Sequence, residues 1–201
     1  EKCIKKQLYG EAYLVRFADD FLIMFQYERD AQRVYEAVIK RMELFGLELS
    51  KEKTRILPFG RYSGSRETFD FLGFTHFNSK TRKGYYSVGH KISRKKKKQF
   101  KSNLKKWVKE NRNTQFDEFM KALNKKHTGS FNYYSLSGMI KEVRNLWQHS
   151  LYVTFKWLNR RSQRRSFKLE RFYEIWNDRI IHPYIHVDIW SGDKVIYNKN
   201  V

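Results

Sequence analysis

The sequence predicts an α+β chain in which a mixed strand-and-helix part, residues 1–90, precedes an α-helical bundle. Three observations carry this. Two apolar runs, Tyr13–Phe17 and Phe21–Phe25, flank an acidic break, the pattern of a β-hairpin. From Ile92 onward the apolar residues recur at helical spacing. The charge changes at the same place: residues 1–89 hold 16 basic and 12 acidic side chains, a net of +4, and residues 90–201 hold 26 and 9, a net of +17.

The elements follow in order. Asp30 is expected to cap a helix whose apolar positions Ala31, Val34, Val38, Met42 and Phe45 end at Gly46. Leu47–Leu57 reads as a strand or extended segment, and Arg61–Arg66 as a polar loop. Thr68–Phe77 alternates and reads as one strand, with Phe69, Phe71 and Gly73 on one face. Lys80–Gly84 has turn chemistry, and Tyr85–Val88 returns as a strand. Ser93 then starts a helix with the stripe Phe100, Leu104, Trp107, Val108. Thr114 and Asp117 fit a cap before Phe116, Phe119, Met120 and Leu123, and Gly129 is expected to break the chain. Ile140, Val143, Trp147, Leu151, Phe155 and Leu158 mark a long helix. Leu169, Phe172, Tyr173, Trp176 and Ile180 mark another, ended by Pro183. The expected domains are residues 1–90, 91–190 and a tail, 191–201.

The 201 residues carry 42 Lys+Arg and 21 Asp+Glu, a formal net charge of +21. Their 40% hydrophobic and 17% aromatic content suffices for a packed core. A single cysteine, Cys3, excludes disulfide frameworks and cysteine-based zinc sites and makes a reducing compartment the default. No run approaches the ~18 apolar residues of a membrane span, and the first six residues lack the apolar stretch of a signal peptide. Such an excess of positive charge points to a polyanionic partner, nucleic acid above all. A membrane surface would call for a helix with a clean apolar face, whereas here aromatics and charges interleave.

Asp19-Asp20 is where chemistry is concentrated. Adjacent carboxylates in an apolar hairpin repel, and desolvation raises the cost. A bound divalent cation offsets both, and Mg²⁺ takes one or two carboxylates together with substrate phosphates. A basic protein with this hairpin therefore suggests the palm of a polymerase that works by two-metal phosphoryl transfer. The plain alternative is a solvated turn, where Asp is common. The six histidines form no metal-binding pattern; His182 and His186 are separated by Pro183.

Phe17-Ala18-Asp19-Asp20, within YLVRFADDFLIMF, resembles the YADD motif of reverse transcriptases. A helix follows, and LELSKEKTRILPF then resembles the family's next motif, with Lys53-Thr54 as its Lys-Thr pair. FDFLGFTHF resembles the primer-grip segment, and GSFNYYSLSG and WLNRRSQRRSFKLERFYEIW resemble the thumb and maturase domain of group II intron proteins. The four matches occur in the family's order over nearly the whole chain. Phe17 replaces the usual Tyr.

The resemblance implies an RNA-directed DNA polymerase with a splicing role, present as its C-terminal half: the end of a palm, then a helical thumb. Asp19 and Asp20 would be catalytic and would hold two Mg²⁺ ions, completed by an upstream Asp that this chain does not contain. Fingers and first palm half would come from a longer precursor or another chain, and the fragment alone would be inactive. Lys53 would meet the triphosphate or protonate the leaving pyrophosphate, unless it is merely solvated. Phe71, Leu72 and Gly73 would form the primer grip, where a residue lacking Cβ lets a backbone approach. The implied partners are structured, intron-like RNA, primer and template, and dNTP; the implied location is a bacterial-type cytoplasm or an organelle. A non-enzymatic splicing factor that keeps the palm as scaffold stays open, as does a domesticated or defence-associated reverse transcriptase.

Two basic clusters complete the site. Lys95, Lys96, Lys97 and Lys98, with Lys101 and Lys105, run along the first bundle helix opposite its apolar stripe, either as a solvated face or as a phosphate-tracking one. Arg160, Arg161, Arg164 and Arg165 stand at a helix end, where guanidinium forks match phosphate geometry. Such a cluster suits structured RNA, which is read by shape and backbone. Tyr133 and Tyr134 stack on bases or pack between helices.

Overall fold

A computed structural model describes residues 7–50, 52–161, 164 and 166–188; the expected tail lies outside them. It is mixed α+β. The chain forms two compact units, one of the residues up to Leu72 with His76–Gly89, the other of Gly73–Thr75 with the residues from His90 onward.

The first unit opens with the expected hairpin. β1 (Ala12–Phe17) and β2 (Asp20–Phe25) are antiparallel, with Phe17 opposite Asp20 and Ala12 opposite Phe25. Ala18-Asp19 is thus a two-residue loop, and Ala18 takes a φ of 50°, a left-handed value that costs a residue with a Cβ about 1 kcal/mol. The helix α1 (Glu28–Leu44) follows. Its N-cap is Tyr27, without a side-chain bond, and Asp30 lies inside the first turn. The buried Asp30 carboxylate instead accepts the backbone N–H groups of Tyr9 and Gly10, each at 3.0 Å. The expected cap is therefore a clamp on the segment entering β1. Gly46, at φ 66°, ends the helix as expected.

Leu47–Leu57 contains no strand among the described residues; the N–H groups of Lys53 and Thr54 both return to the Ser50 carbonyl in a turn. The single strand expected over Thr68–Phe77 is two, β3 (Thr68–Phe71) and β4 (Phe74–Lys80). Between them Leu72 and Gly73 have φ of 49° and 82°, the pair of positive values that a type I′ turn requires. With β5 (Tyr86–Ile92) they form a sheet in the order β3-β4-β5. Asn78 organises the polar loop before β3: its side chain accepts from the Gly60 N–H and the Tyr86 hydroxyl and donates to the Ser65 carbonyl.

The second unit holds the main core. Its helices are α2 (Arg94–Asn111), α3 (Phe116–Tyr134), α4 (Ile140–Leu158) and α5 (Leu169–Arg179). The expected stripes meet there: Leu104, Val108, Phe119, Leu123, Val143, Trp147, Leu151, Leu158, Phe172 and Trp176 are buried in one cluster together with Phe131, whereas Leu169 and Tyr173, expected in the α5 stripe, are exposed. Burying each such side chain contributes roughly 1.5–3 kcal/mol. Ser93 caps α2 as expected, accepting from the Lys96 N–H. Gln115, not Thr114 or Asp117, caps α3, its side chain accepting from the Glu118 N–H. Asp117 pairs with Arg179.

Gly129 does not break the chain. It lies exposed within α3, whose two sides are held by buried Leu123, His127 and Phe131; that packing outweighs the ~1 kcal/mol that glycine costs a helix. The break comes at 135–139, where Gly138 has φ 83°. At the end of α5, Asn124 donates to the Arg179 carbonyl at 2.6 Å and accepts from the Ile181 N–H at 2.8 Å, so the chain leaves the helix before Pro183 is reached. No helix of the described residues is long and apolar enough to cross a membrane.

Candidate functional site

The two acids stand at the hairpin tip, and both are exposed. The desolvation expected from the apolar flanks does not arise: Asp19 stands in the two-residue loop, and Asp20, the first residue of β2, is exposed as well. Arg16 Nε donates to the Ala18 carbonyl at 2.9 Å and braces the left-handed residue beside them. Neither carboxylate has a hydrogen-bond or ion-pair partner among the described residues, so both remain available to a ligand.

An open apolar cavity of about 660 Å³ lies between this hairpin and α1. Leu14, Phe21, Ile23, Val34, Val38 and Met42 line it, with Asp19 and Arg16 on its wall. Several strand residues stay exposed around it: Leu14 is 42% and Phe17 64% accessible. An acid turn thus stands beside apolar surface that this unit does not itself cover. Lys53 is exposed in the turn that follows Ser50, a few residues beyond Leu49, which lines the same cavity.

Among the described residues no three His, Cys, Asp or Glu side chains converge as a metal cage. Two free carboxylates on one turn nevertheless match what Mg²⁺ draws from a protein when substrate phosphates and water supply the remaining oxygens.

In the second unit, Gly73 is bonded to the start of α2: the Ser93 N–H donates to its carbonyl at 2.9 Å. A Cβ on Gly73 would lie 3.4 Å from Lys96 Cγ and 3.8 Å from the Tyr134 hydroxyl. Tyr133 is half exposed and stacks on Phe74 at 5.7 Å, and Tyr134 meets the same ring edge-on. Phe71, which ends β3, is half-buried.

The lysines divide. Lys95, Lys96, Lys98, Lys101 and Lys105 are exposed along α2. Lys97 pairs with Glu142 of α4 at 2.8 Å and is spent on joining the helices. The arginines divide too. Arg160 is exposed; Arg161 turns inward, donates to the Thr114 carbonyl at 3.5 Å, and is held below the ordinary guanidinium pKa by burial. Arg164 is exposed. Arg165 lies outside the described residues, as do Ser162 and Gln163. Sequence reasoning missed Lys109, Arg112 and Trp157, which sit with Arg160 at the adjoining ends of α2 and α4; only helix packing brings them together.

A β-hairpin presenting two free carboxylates, in a chain of net charge +21, has the donors that a divalent cation takes beside substrate phosphates. Residues 1–76 match the family model for reverse transcriptase (RNA-dependent DNA polymerase). The matched segment contains the acid hairpin, and it is in this segment that the chain is similar to reverse transcriptases. No curated protein matches the chain.

Proposed function

We propose that this chain forms part of a group II intron-type reverse transcriptase and that it also binds intron-like RNA to assist splicing. The observation that carries the enzymatic reading is the pair of unpartnered carboxylates, Asp19 and Asp20, on a braced hairpin turn within the matched segment. In the reaction the primer 3′-oxygen would attack the α-phosphorus of a dNTP, the bond to pyrophosphate would break, and the 3′-hydroxyl proton would be lost. Asp19 and Asp20 would hold Mg²⁺, which when bound lowers the pKa of the attacking hydroxyl and offsets charge on the leaving oxygen. A further acid from outside the described residues would complete the set. Lys53 would neutralise or protonate the departing pyrophosphate. Phe71, Leu72 and Gly73 would seat the primer end. The apolar cavity between the hairpin and α1 supports docking of the remaining palm and fingers, whether from a longer precursor or from a partner chain.

The RNA-binding role rests on the charge. Residues 90–201 carry a net of +17, and Lys95, Lys96, Lys98, Lys101 and Lys105 of α2 are exposed. The four helices would act as the thumb and maturase part.

The test is Asp19→Ala in an assembled enzyme with the palm complete. Primer extension should fall by several orders of magnitude, since metal-ligand terms are worth several kcal/mol and each 1.36 kcal/mol is about tenfold in rate. RNA affinity should stay within twofold of wild type. An equal loss of RNA binding would make the acids structural, and undiminished extension would end the assignment of Asp19 as a metal ligand. Splicing by the wild-type assembled protein without any primer extension would favour the non-enzymatic splicing factor.

A further inference from the structure

The ends of α2 and α4 meet around one indole. Lys109 Nζ lies 5.8 Å from the centre of the Trp157 ring, the Arg112 guanidinium carbon 5.6 Å and the Arg160 guanidinium carbon 5.4 Å. Trp157 is half-buried against the main core, so its ring is a fixed platform. Lys109 and Arg160 are exposed and Arg112 is half-buried. None of the three has a carboxylate partner among the described residues.

Two ordinary forces explain part of this. The C-terminal end of a helix favours a cation by about 0.3–1 kcal/mol. A cation over an aromatic face at an exposed site gains roughly 0.5–1 kcal/mol. Either accounts for one cation at each helix end. Neither accounts for three cations around one ring with no acid among them, where like charges repel and each helix end needs only one. An anion set between them removes the repulsion.

We infer that Lys109, Arg112 and Arg160, ordered on Trp157, form a phosphate clamp for the backbone of structured RNA. The indole restricts the long side chains before binding, which lowers the ordering cost of gripping a phosphate. The two guanidinium forks supply bidentate donors, and the ammonium adds a point charge. Such a clamp positions an RNA without reading its sequence. It deepens the RNA-binding part of the proposed function and is independent of the acid hairpin.

The experiment is a salt titration of the affinity of the assembled protein for a short RNA hairpin, by fluorescence anisotropy. For Lys109→Gln/Arg112→Gln/Arg160→Gln, the slope of log affinity against log salt should become shallower by about two to three, at roughly 0.7–0.9 per lost phosphate contact. Circular dichroism checks the fold; should the triple variant unfold, the exposed single variants Lys109→Gln and Arg160→Gln each lower the slope by roughly 0.7–0.9. Arg171→Gln, at a site already paired with Glu174, should leave the slope unchanged. An unchanged slope in the folded triple or single variants overturns the clamp. Displacement of RNA by inorganic phosphate at constant ionic strength, from wild type but not from the triple variant, would support the clamp; binding of inorganic phosphate to wild type that leaves RNA affinity unchanged would mark a small-anion site and overturn the RNA assignment. Loss of primer extension in Asp19→Ala bears on the polymerase reading alone, and the salt slope bears on this one.

Discussion

The carbonyl of Gly73 accepts the backbone N–H of Ser93 at 2.9 Å, and the Ser93 side chain in turn caps α2. Gly73 and the first turn of the basic helix are therefore one hydrogen-bonded piece, with Lys96 beside Gly73. Gly73→Ala should strain a φ of 82°, with its Cβ in ordinary contact with Lys96, costing about 1–2 kcal/mol. Urea denaturation should show that loss. In an assembled enzyme primer extension should fall, while dNTP-independent RNA binding should not.

His127 is buried between Phe131 and Trp176, and burial holds its pKa down at about 4 from an ordinary 6.5. The unfolded chain then binds the proton more tightly than the folded one. Stability is fully present above pH 6.5 and is lost as pH falls from 6.5 towards 4. The loss should be on the order of 3 kcal/mol. His149, held down by burial and by Lys101, acts in the same direction. Denaturation at pH 7 and near pH 4.5, followed by tryptophan fluorescence, should show the drop, and His127→Leu should remove most of it.

Asn124 holds both sides of the exit from α5, accepting from Ile181 and donating to the Arg179 carbonyl. Asn124→Ala leaves both backbone groups without these partners. The expected loss is about 1–3 kcal/mol, read from thermal unfolding. Asn124→Asp keeps the acceptor and should recover part of it.

Gly129 sits in α3 with open space where a Cβ would be. Gly129→Ala should therefore stabilise the protein by roughly 0.5–1 kcal/mol through a smaller entropy loss on folding. A raised melting temperature with unchanged RNA affinity is the expected result.

What the sequence determined by itself is what local periodicity and composition encode. Two runs of strand formers on either side of a short acidic break specify the hairpin and put the acids at or beside its turn. The stripes through Leu104, Leu123, Trp147 and Trp176 specify helices, because a 3.6-residue period brings those side chains to one face. Ser93 is readable as a cap because its hydroxyl satisfies an N–H three residues on. The concentration of positive charge after residue 89 needs no structure at all. Tertiary structure decided whatever depends on partners distant in sequence. Asp30 looks like a cap, yet its carboxylate is taken by Tyr9 and Gly10, 21 and 20 residues away. Gly129 looks like a break, but packing on both sides of it outweighs its weak propensity. Lys97 and Arg161 look like their neighbours, and only the packing of α2 and α4 turns one onto Glu142 and the other onto Thr114. The gathering of Lys109, Arg112 and Arg160 on Trp157 has the same origin: local pattern fixes which face a side chain lies on, and only the packed bundle fixes what that face meets.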